Sequence, residues 1–245
     1  MNERRRGSAV SVGVAAGVTV MGLVFSVVVA VPVFLLGLDV LATFTLSVVL
    51  SELGFAVGAL VFLAATGRGT GFLDLRRPDR RAVGYMVGGT VALFALRLAL
   101  ILGVGALGLP VAGNSVTDLA QEGVVASLLL LVPVSVLVIG PAEELLFRGV
   151  VQKYLYGSFS RWGAVAVASV LFALVHLPTT YYADPDPVAV AVTLAILFGL
   201  SLVLGGLYVR TDNLLVPVVA HGLYDAVLFG LAYVVLTTQG LSLPG

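Results

Sequence analysis

Six residues in the second half of the chain have the types and spacings of acid–base chemistry: Glu143, Glu144, Arg148, His176, His221 and Asp225. The two histidines are the only ones in the chain, and both lie in apolar runs. Glu144 and Arg148 are four apart, so on a helix they share a face and can pair. Glu143 is turned about 100° from Glu144 and is left as the free carboxylate. Pro141 lacks an N–H and clashes with the preceding turn, which predicts a kink or a restart of the helix. Glu143 then stands near the positive end of a half-helix. Burial and that dipole act on its proton in opposite senses, which suits a general base. Phe172 and His176 share one helix face, and so do His221 and Asp225. A carboxylate beside two imidazoles is a set that can deprotonate water and stabilise a developing negative charge.

Convergence of these groups follows from helix arithmetic. If the fourth apolar helix runs on to Tyr156 and turns at 157–160, Glu143 lies about 13 residues before the turn and His176 about 16 after it. At 1.5 Å per residue their depths differ by roughly 5 Å, and a short connection makes the two helices antiparallel neighbours. His221 lies about eight residues, or roughly 12 Å, beyond the turn at 211–213. It reaches the same depth if the region 148–161 projects beyond the membrane, which Arg148, Lys153 and Arg161 permit. The predicted site is intramembrane and nearer the cytoplasmic side.

The elements that position these residues are membrane helices. Sixty per cent of the 245 residues are hydrophobic and only 11% are charged, so a water-soluble domain of this length has too little interior to hide them. Seven apolar runs fit a helix of about 20 residues crossing the hydrocarbon: 9–36, 40–66, 83–108, 124–147, 161–177, 188–209 and 214–236. Strand alternation is absent, which argues against a barrel. The predicted fold is an all-α polytopic bundle of seven spans; an eighth would require splitting one of the longer runs. The first run reads as a retained signal anchor. The chain divides into N-terminal spans and a basic loop (1–123), a core bearing the motifs (124–236) and a tail (237–245).

Charge placement supports this count. Arg4, Arg5 and Arg6 precede span one; Arg68, Arg76, Arg77, Arg80 and Arg81 lie between spans two and three. Arg148, Lys153 and Arg161 separate spans four and five, and Arg210 separates six and seven. The alternate connections carry Asp39, then Asp118 and Glu122, then Asp184 and Asp186, with no Lys or Arg. The positive-inside rule then places the N-terminus in the cytoplasm of a cell-membrane protein and the C-terminus outside. The basic stretch from Arg68 to Arg81 reads as this topology signal, with affinity for anionic headgroups as the lesser alternative. The absence of cysteine excludes a thiol nucleophile, a disulfide framework and a cysteine-ligated metal, and zero net charge argues against a nucleic-acid partner. Glu52 and Arg97 fall mid-span in helices two and three. A neutralising pair between them is the expectation, in preference to a substrate contact.

Glu143-Glu144-Leu-Leu-Phe-Arg148, Phe172-Ala-Leu-Val-His176 and His221-Gly-Leu-Tyr-Asp225 resemble the three ordered motifs of the CPBP family of intramembrane proteases, which holds the type II CAAX prenyl endopeptidases and the Abi proteins. The likeness covers 124–236. It implies a conical cavity open to the cytoplasm and laterally to lipid, and metal-independent glutamate proteolysis with no cofactor. It also implies that Glu143, assisted by His176, activates water, while His221 and residue 225 stabilise the oxyanion. Eukaryotic-type members carry Asn where this chain has Asp225. A carboxylate donates no hydrogen bond unless protonated, so either Asp225 is neutral or it orients His221. Glu144 with Arg148 reads as structural support, with a secondary catalytic part for Glu144 left open.

The expected partners are the bilayer and a membrane-associated peptide or protein, prenylated in the CAAX-type case. Three alternatives stand beside this reading. His and Glu are good zinc ligands, which would make a metalloprotease, but no His-Glu-x-x-His is present. Intramembrane Glu and His also mark transporters and proton relays, although paired broken helices are lacking. A non-catalytic membrane scaffold is the third alternative.

Overall fold

A computed structural model of the protein describes residues 3–113 and 125–238. Asp118 and Glu122, two of the acids used to argue topology, lie outside the described residues. Among those described, every regular element is helical, and seven helices are long and apolar enough to cross a membrane. They are α1 (Glu3–Ala30), α2 (Val40–Ala65), α3 (Arg80–Ala106), α4 (Ala126–Leu155), α5 (Arg161–Ala183), α6 (Pro187–Thr211) and α7 (Leu215–Thr238). The chain is a multi-pass membrane protein.

Short polar side chains set several helix starts. The carboxylates of Asp39, Asp79 and Asp186 accept hydrogen bonds from the first-turn amides of α2, α3 and α6, and Ser160 does the same for α5. Asp39 and Asp186 therefore cap helices at the end of the bundle where, among the described residues, the connections carry no Lys or Arg. The fourth and fifth spans extend past their predicted ends, to Leu155 and Ala183. Arg148 does not stop α4, because it is buried and paired within the bundle.

The connections rich in basic residues gather at one end. Ser11 and Ser158 hydroxyls lie 2.6 Å apart, joining the start of α1 to the α4–α5 turn. Lys153 donates to Asp74 at 2.5 Å, the Tyr208 hydroxyl donates to the same oxygen at 2.8 Å, and Asn213 Nδ2 donates to the Arg76 carbonyl. Arg161 pairs with Asp212 beside them. Burial pushes the Asp74 carboxyl up, but hydrogen bonds from Lys153 and Tyr208 and the charges of Lys153 and Arg76 outweigh it and hold that acid below its ordinary range.

Two apolar clusters flank the centre. One joins α1, α2, α4 and α5 through residues such as Phe55, Phe62, Phe147 and Phe172. The other joins α3, α6 and α7 through Leu93, Leu204, Leu207 and Tyr224. Lipid tails are as apolar as these side chains, so close packing holds the helices together more than transfer from water does.

At Pro141 the α-helix restarts, as expected: the segment Gly140–Glu144, with Pro141 in its first turn, follows a π-type stretch at Ser135–Ile139, and the chain does not leave the helix between them. Backbone angles stay helical from Val134 through Lys153, and the proline is absorbed by wider π-type turns at Ser135–Ile139 and Leu145–Gln152 on either side of Gly140–Glu144. A π turn does not need every i−4 hydrogen bond, so the missing N–H leaves no break.

Candidate active site

Two glycines let α4 and α7 touch. A Cβ on Gly140 would fall 2.9 Å from the Gly222 amide nitrogen, and one on Gly222 would fall 2.9 Å from the Ser135 carbonyl oxygen. Both lie beside functional side chains: Gly140 is three residues before Glu143, and Gly222 follows His221. This contact of main chain on main chain carries the carboxylates of one helix to the imidazole of the other.

The six expected residues converge. Glu143 lies 3.6 Å from His176 Nε2 and 3.7 Å from His221 Nε2, reaching each imidazole with a different oxygen. Glu144 accepts from Arg148 at 2.7 Å and lies 2.9 Å from His221 Nδ1. Arg148 also donates to the Ser201 hydroxyl and carbonyl at 2.8 and 3.1 Å, which anchors the pair to α6. Asp225 stands 3.3 Å from His221 Nε2. Glu143, Glu144, Arg148 and His221 are all buried.

These contacts restrict the protons. A carbonyl only accepts, so His176 Nδ1, at 2.8 Å from the Phe172 carbonyl, carries the hydrogen; the lone pair of a neutral ring is then left on Nε2, facing Glu143. His221 Nδ1 likewise donates to Glu144, whose same oxygen already accepts from Arg148. Its Nε2 faces two carboxyl groups, Asp225 at 3.3 Å and Glu143 at 3.7 Å. The His221–Asp225 contact is the one that an orienting Asp225 requires.

Phe172 is the floor of the cluster. Its ring centroid lies 4.8 Å from that of His176 and 6.2 Å from that of His221, with the Arg148 guanidinium 4.9 Å above its face. His176 itself ends the first segment of α5 and precedes a second, Leu177–Ala183. Pro178 cannot supply the amide that would continue the ladder, so the helix is interrupted there and His176 is half-buried.

A cavity of about 700 Å³ opens in front of Glu143, His176, His221 and Asp225. Beyond them its walls run to Phe34 on the segment after α1, Phe44 on α2, Leu131 on α4 and Phe229 on α7. All four lie toward the end of the bundle away from the basic connections. At the basic end the cluster is sealed by Leu146, Phe147, Val150 and Leu155, none of them exposed. Two expectations therefore do not hold together: basic connections in the cytoplasm and a cavity open to the cytoplasm. A larger groove of about 850 Å³ between α3 and α6, near Arg81, Trp162 and Arg210, has no acid or imidazole on its walls. Among the described residues, no three His, Asp or Glu side chains form a set that could hold a metal ion.

Glu52 and Arg97 do not pair with each other. Both line the cavity, yet among the described residues Arg97 reaches only the Tyr224 hydroxyl, at 3.4 Å, and Glu52 Oε2 is buried without a hydrogen-bond partner. Mid-span charge in helices two and three was visible in the sequence. Their place on the wall of a cavity built mainly by α4, α5 and α7 was not.

A membrane helix bundle with a buried glutamate between two histidines is the class that the fold and cluster define. Residues 125–227 match the family model described as type II CAAX prenyl endopeptidase Rce1-like, a match that supports the CPBP, or CAAX protease, family for this region of the chain. No curated protein and no solved structure matches the chain. The match includes all three motifs and leaves α1–α3 outside it.

Proposed function

We propose that the protein is an intramembrane endopeptidase that hydrolyses a membrane-associated peptide by a glutamate–histidine mechanism. The observation that carries this reading is Glu143, buried at the back of a cavity and 3.6 and 3.7 Å from two imidazoles. Those separations exceed a direct hydrogen bond, and they leave Glu143 and the His176 Nε2 lone pair free to hold one water between them.

In the proposed reaction Glu143 takes a proton from that water as its oxygen attacks the peptide carbonyl carbon, and His176 fixes the attack geometry. The new C–O bond pushes the carbonyl electrons onto oxygen. His221, with its Nε2 proton held by Asp225, donates to that oxyanion in a site where screening is low. Collapse of the intermediate breaks the C–N bond, and the proton on Glu143 passes to the leaving amine. Glu144, Arg148 and Ser201 hold the His221 ring from the other side. Glu144 thus acts through His221, and Arg148 through Glu144.

The substrate is a peptide anchored in the bilayer; a prenylated CAAX-type terminus is the case that the family description suggests. Incubating purified wild type and Glu143→Ala with a library of membrane peptides, and reading new termini by mass spectrometry, tests the proposal. Cleavage by wild type that falls by about 10³-fold or more in a folded Glu143→Ala supports it. Equal cleavage by both sinks it. Loss of cleavage after exhaustive chelation, restored by zinc, would transfer the reaction to a metalloprotease.

A further inference from the structure

Arg97 has no part in that chemistry, yet it lines the cavity in which the chemistry occurs. It is half-buried within a membrane span, where an unneutralised cation is costly and marks either a partner or a task. Among the described residues it forms no ion pair; its one recorded contact is the Tyr224 hydroxyl at 3.4 Å. A phenol occupies at most one or two of the five donors of a guanidinium. The acid best placed by sequence to neutralise it, Glu52, leaves its own Oε2 buried and unbonded. The cavity therefore presents a cationic fork that is not matched from within.

Its position relative to the cluster is close. Tyr224, which Arg97 touches, is the neighbour in sequence of Asp225, and Asp225 stands 3.3 Å from His221 Nε2. Arg97, Tyr224, Asp225 and Glu143 all line this one cavity. An extended peptide covers about 3.3–3.6 Å per residue, so a group held at Arg97 belongs to a residue only a short way along the chain from a carbonyl held at Glu143. The ligand that fits a planar, permanently charged fork in two parallel hydrogen bonds is a carboxylate.

We propose that Arg97 is a substrate-binding residue that pairs with a carboxylate carried by the substrate close to the scissile bond, either the chain terminus or an acidic side chain. The inference rests on the proteolytic reading above and adds to it a requirement on the substrate. Glu52 is then a separate acid on the same wall and not the counter-ion of Arg97.

The test takes a peptide that wild type cleaves and Glu143→Ala does not. It is compared with its C-terminal amide and with versions in which each Glu or Asp near the cut is replaced by Gln or Asn. One of these neutralised peptides should show a KM raised by about tenfold or more with wild type, identifying the source of the carboxylate. Arg97→Gln should show the same rise on the parent peptide and no further rise on the neutralised one. Arg97→Lys, which keeps the charge but not the fork, should discriminate less than wild type, and it serves if Arg97→Gln does not fold. Glu52→Gln should leave the discrimination in place. Equal KM for all peptides with wild type, full discrimination in Arg97→Gln, or its equal loss in Glu52→Gln would each overturn the assignment. If no cleavage depends on Glu143, the proteolytic reading fails first and takes this one with it.

Discussion

The end of the bundle that carries the basic connections and the end that does not are built on opposite plans. Toward the basic end, Leu146, Phe147, Val150, Val151, Leu155 and Leu214 are fully enclosed, and Asp74, Lys153 and Tyr208 tie three elements together over them. Toward the other end, the same helices part around a cavity of about 700 Å³ whose walls carry Glu52, Arg97, Glu143 and Asp225. The Glu–His cluster sits on the boundary. Glu144 and Arg148 face the packed side, and Glu143 and His176 face the open one. A rigid wall behind and a polar opening in front is what hydrolysis inside a bilayer requires: the first fixes the imidazoles, and the second admits water and a peptide where lipid would exclude both. The contrast also assigns different consequences to neighbouring residues of one helix.

Arg148 gives the largest effect that distinguishes the two sides. Its removal leaves Glu144 buried beside His221 without its cation, and Arg148→Met should destabilise the protein by about 3–5 kcal/mol. The measurement is unfolding in detergent or lipid, with Glu143→Ala as the control. That control should unfold at nearly the wild-type midpoint while losing cleavage. Similar midpoints for Arg148→Met and wild type would show that the packed side does not depend on the pair.

Gly222→Ala comes next. Its Cβ would meet main chain of α4, which cannot swing aside as a side chain would. The helices must separate by some tenths of an ångström, and His221 moves from Glu143 and Glu144 together. We expect a loss of about 10² in kcat/KM, near 2.7 kcal/mol at 1.36 per decade. Unchanged kcat/KM would mean that the close approach does not set the catalytic geometry.

The direction of the opening can be read without activity, because the chain contains no cysteine and single-cysteine variants therefore have no background. Gly157→Cys in the exposed α4–α5 turn should react with an impermeant maleimide from the side of the basic connections. Ser51→Cys, on the cavity wall, should react from the opposite side of sealed vesicles and several-fold more slowly. Labelling of Ser51→Cys from the same side as Gly157→Cys would place the opening at the basic end. Determining which side is the cytoplasm in the same vesicles tests the positive-inside assignment separately.

Asp74 offers the smallest effect. Its carboxyl is held below its ordinary range, so its contribution is full above the unfolded value of about 3.9 and is lost as pH falls through the lower folded value. Asp74→Asn should lower stability modestly at neutral pH, and the gap to wild type should close below about pH 4. A gap that persists at lower pH would show that the tie acts through hydrogen bonding alone.

Much of this arrangement was legible in the residue order. Seven apolar runs separated by alternating basic and acidic connections gave seven helices, because hydrocarbon thickness fixes span length and charge is excluded from it. The match in depth of Glu143 and His176 followed from the short turn at 157–160, since two antiparallel helices of fixed rise leave little freedom. The Glu144–Arg148 pair followed from i,i+4 spacing.

Other features depended on contacts between helices distant in sequence. Pro141 signalled a kink or restart, and the α-helix does restart there; that the chain crosses the site in π turns without leaving the helix is a choice that local propensity does not contain. Glu52 and Arg97 suggested a neutral pair because opposite charges at similar depth attract; how α2 and α3 are rotated decides whether they meet, and no periodicity specifies that rotation. Residue order thus determined which groups are held in the membrane and at what depth, because those follow from hydropathy and rise per residue. Only the tertiary structure decided which side chains face one another and toward which end the space between them opens. Both depend on close packing between whole helices, at the Gly140–Gly222 contact above all.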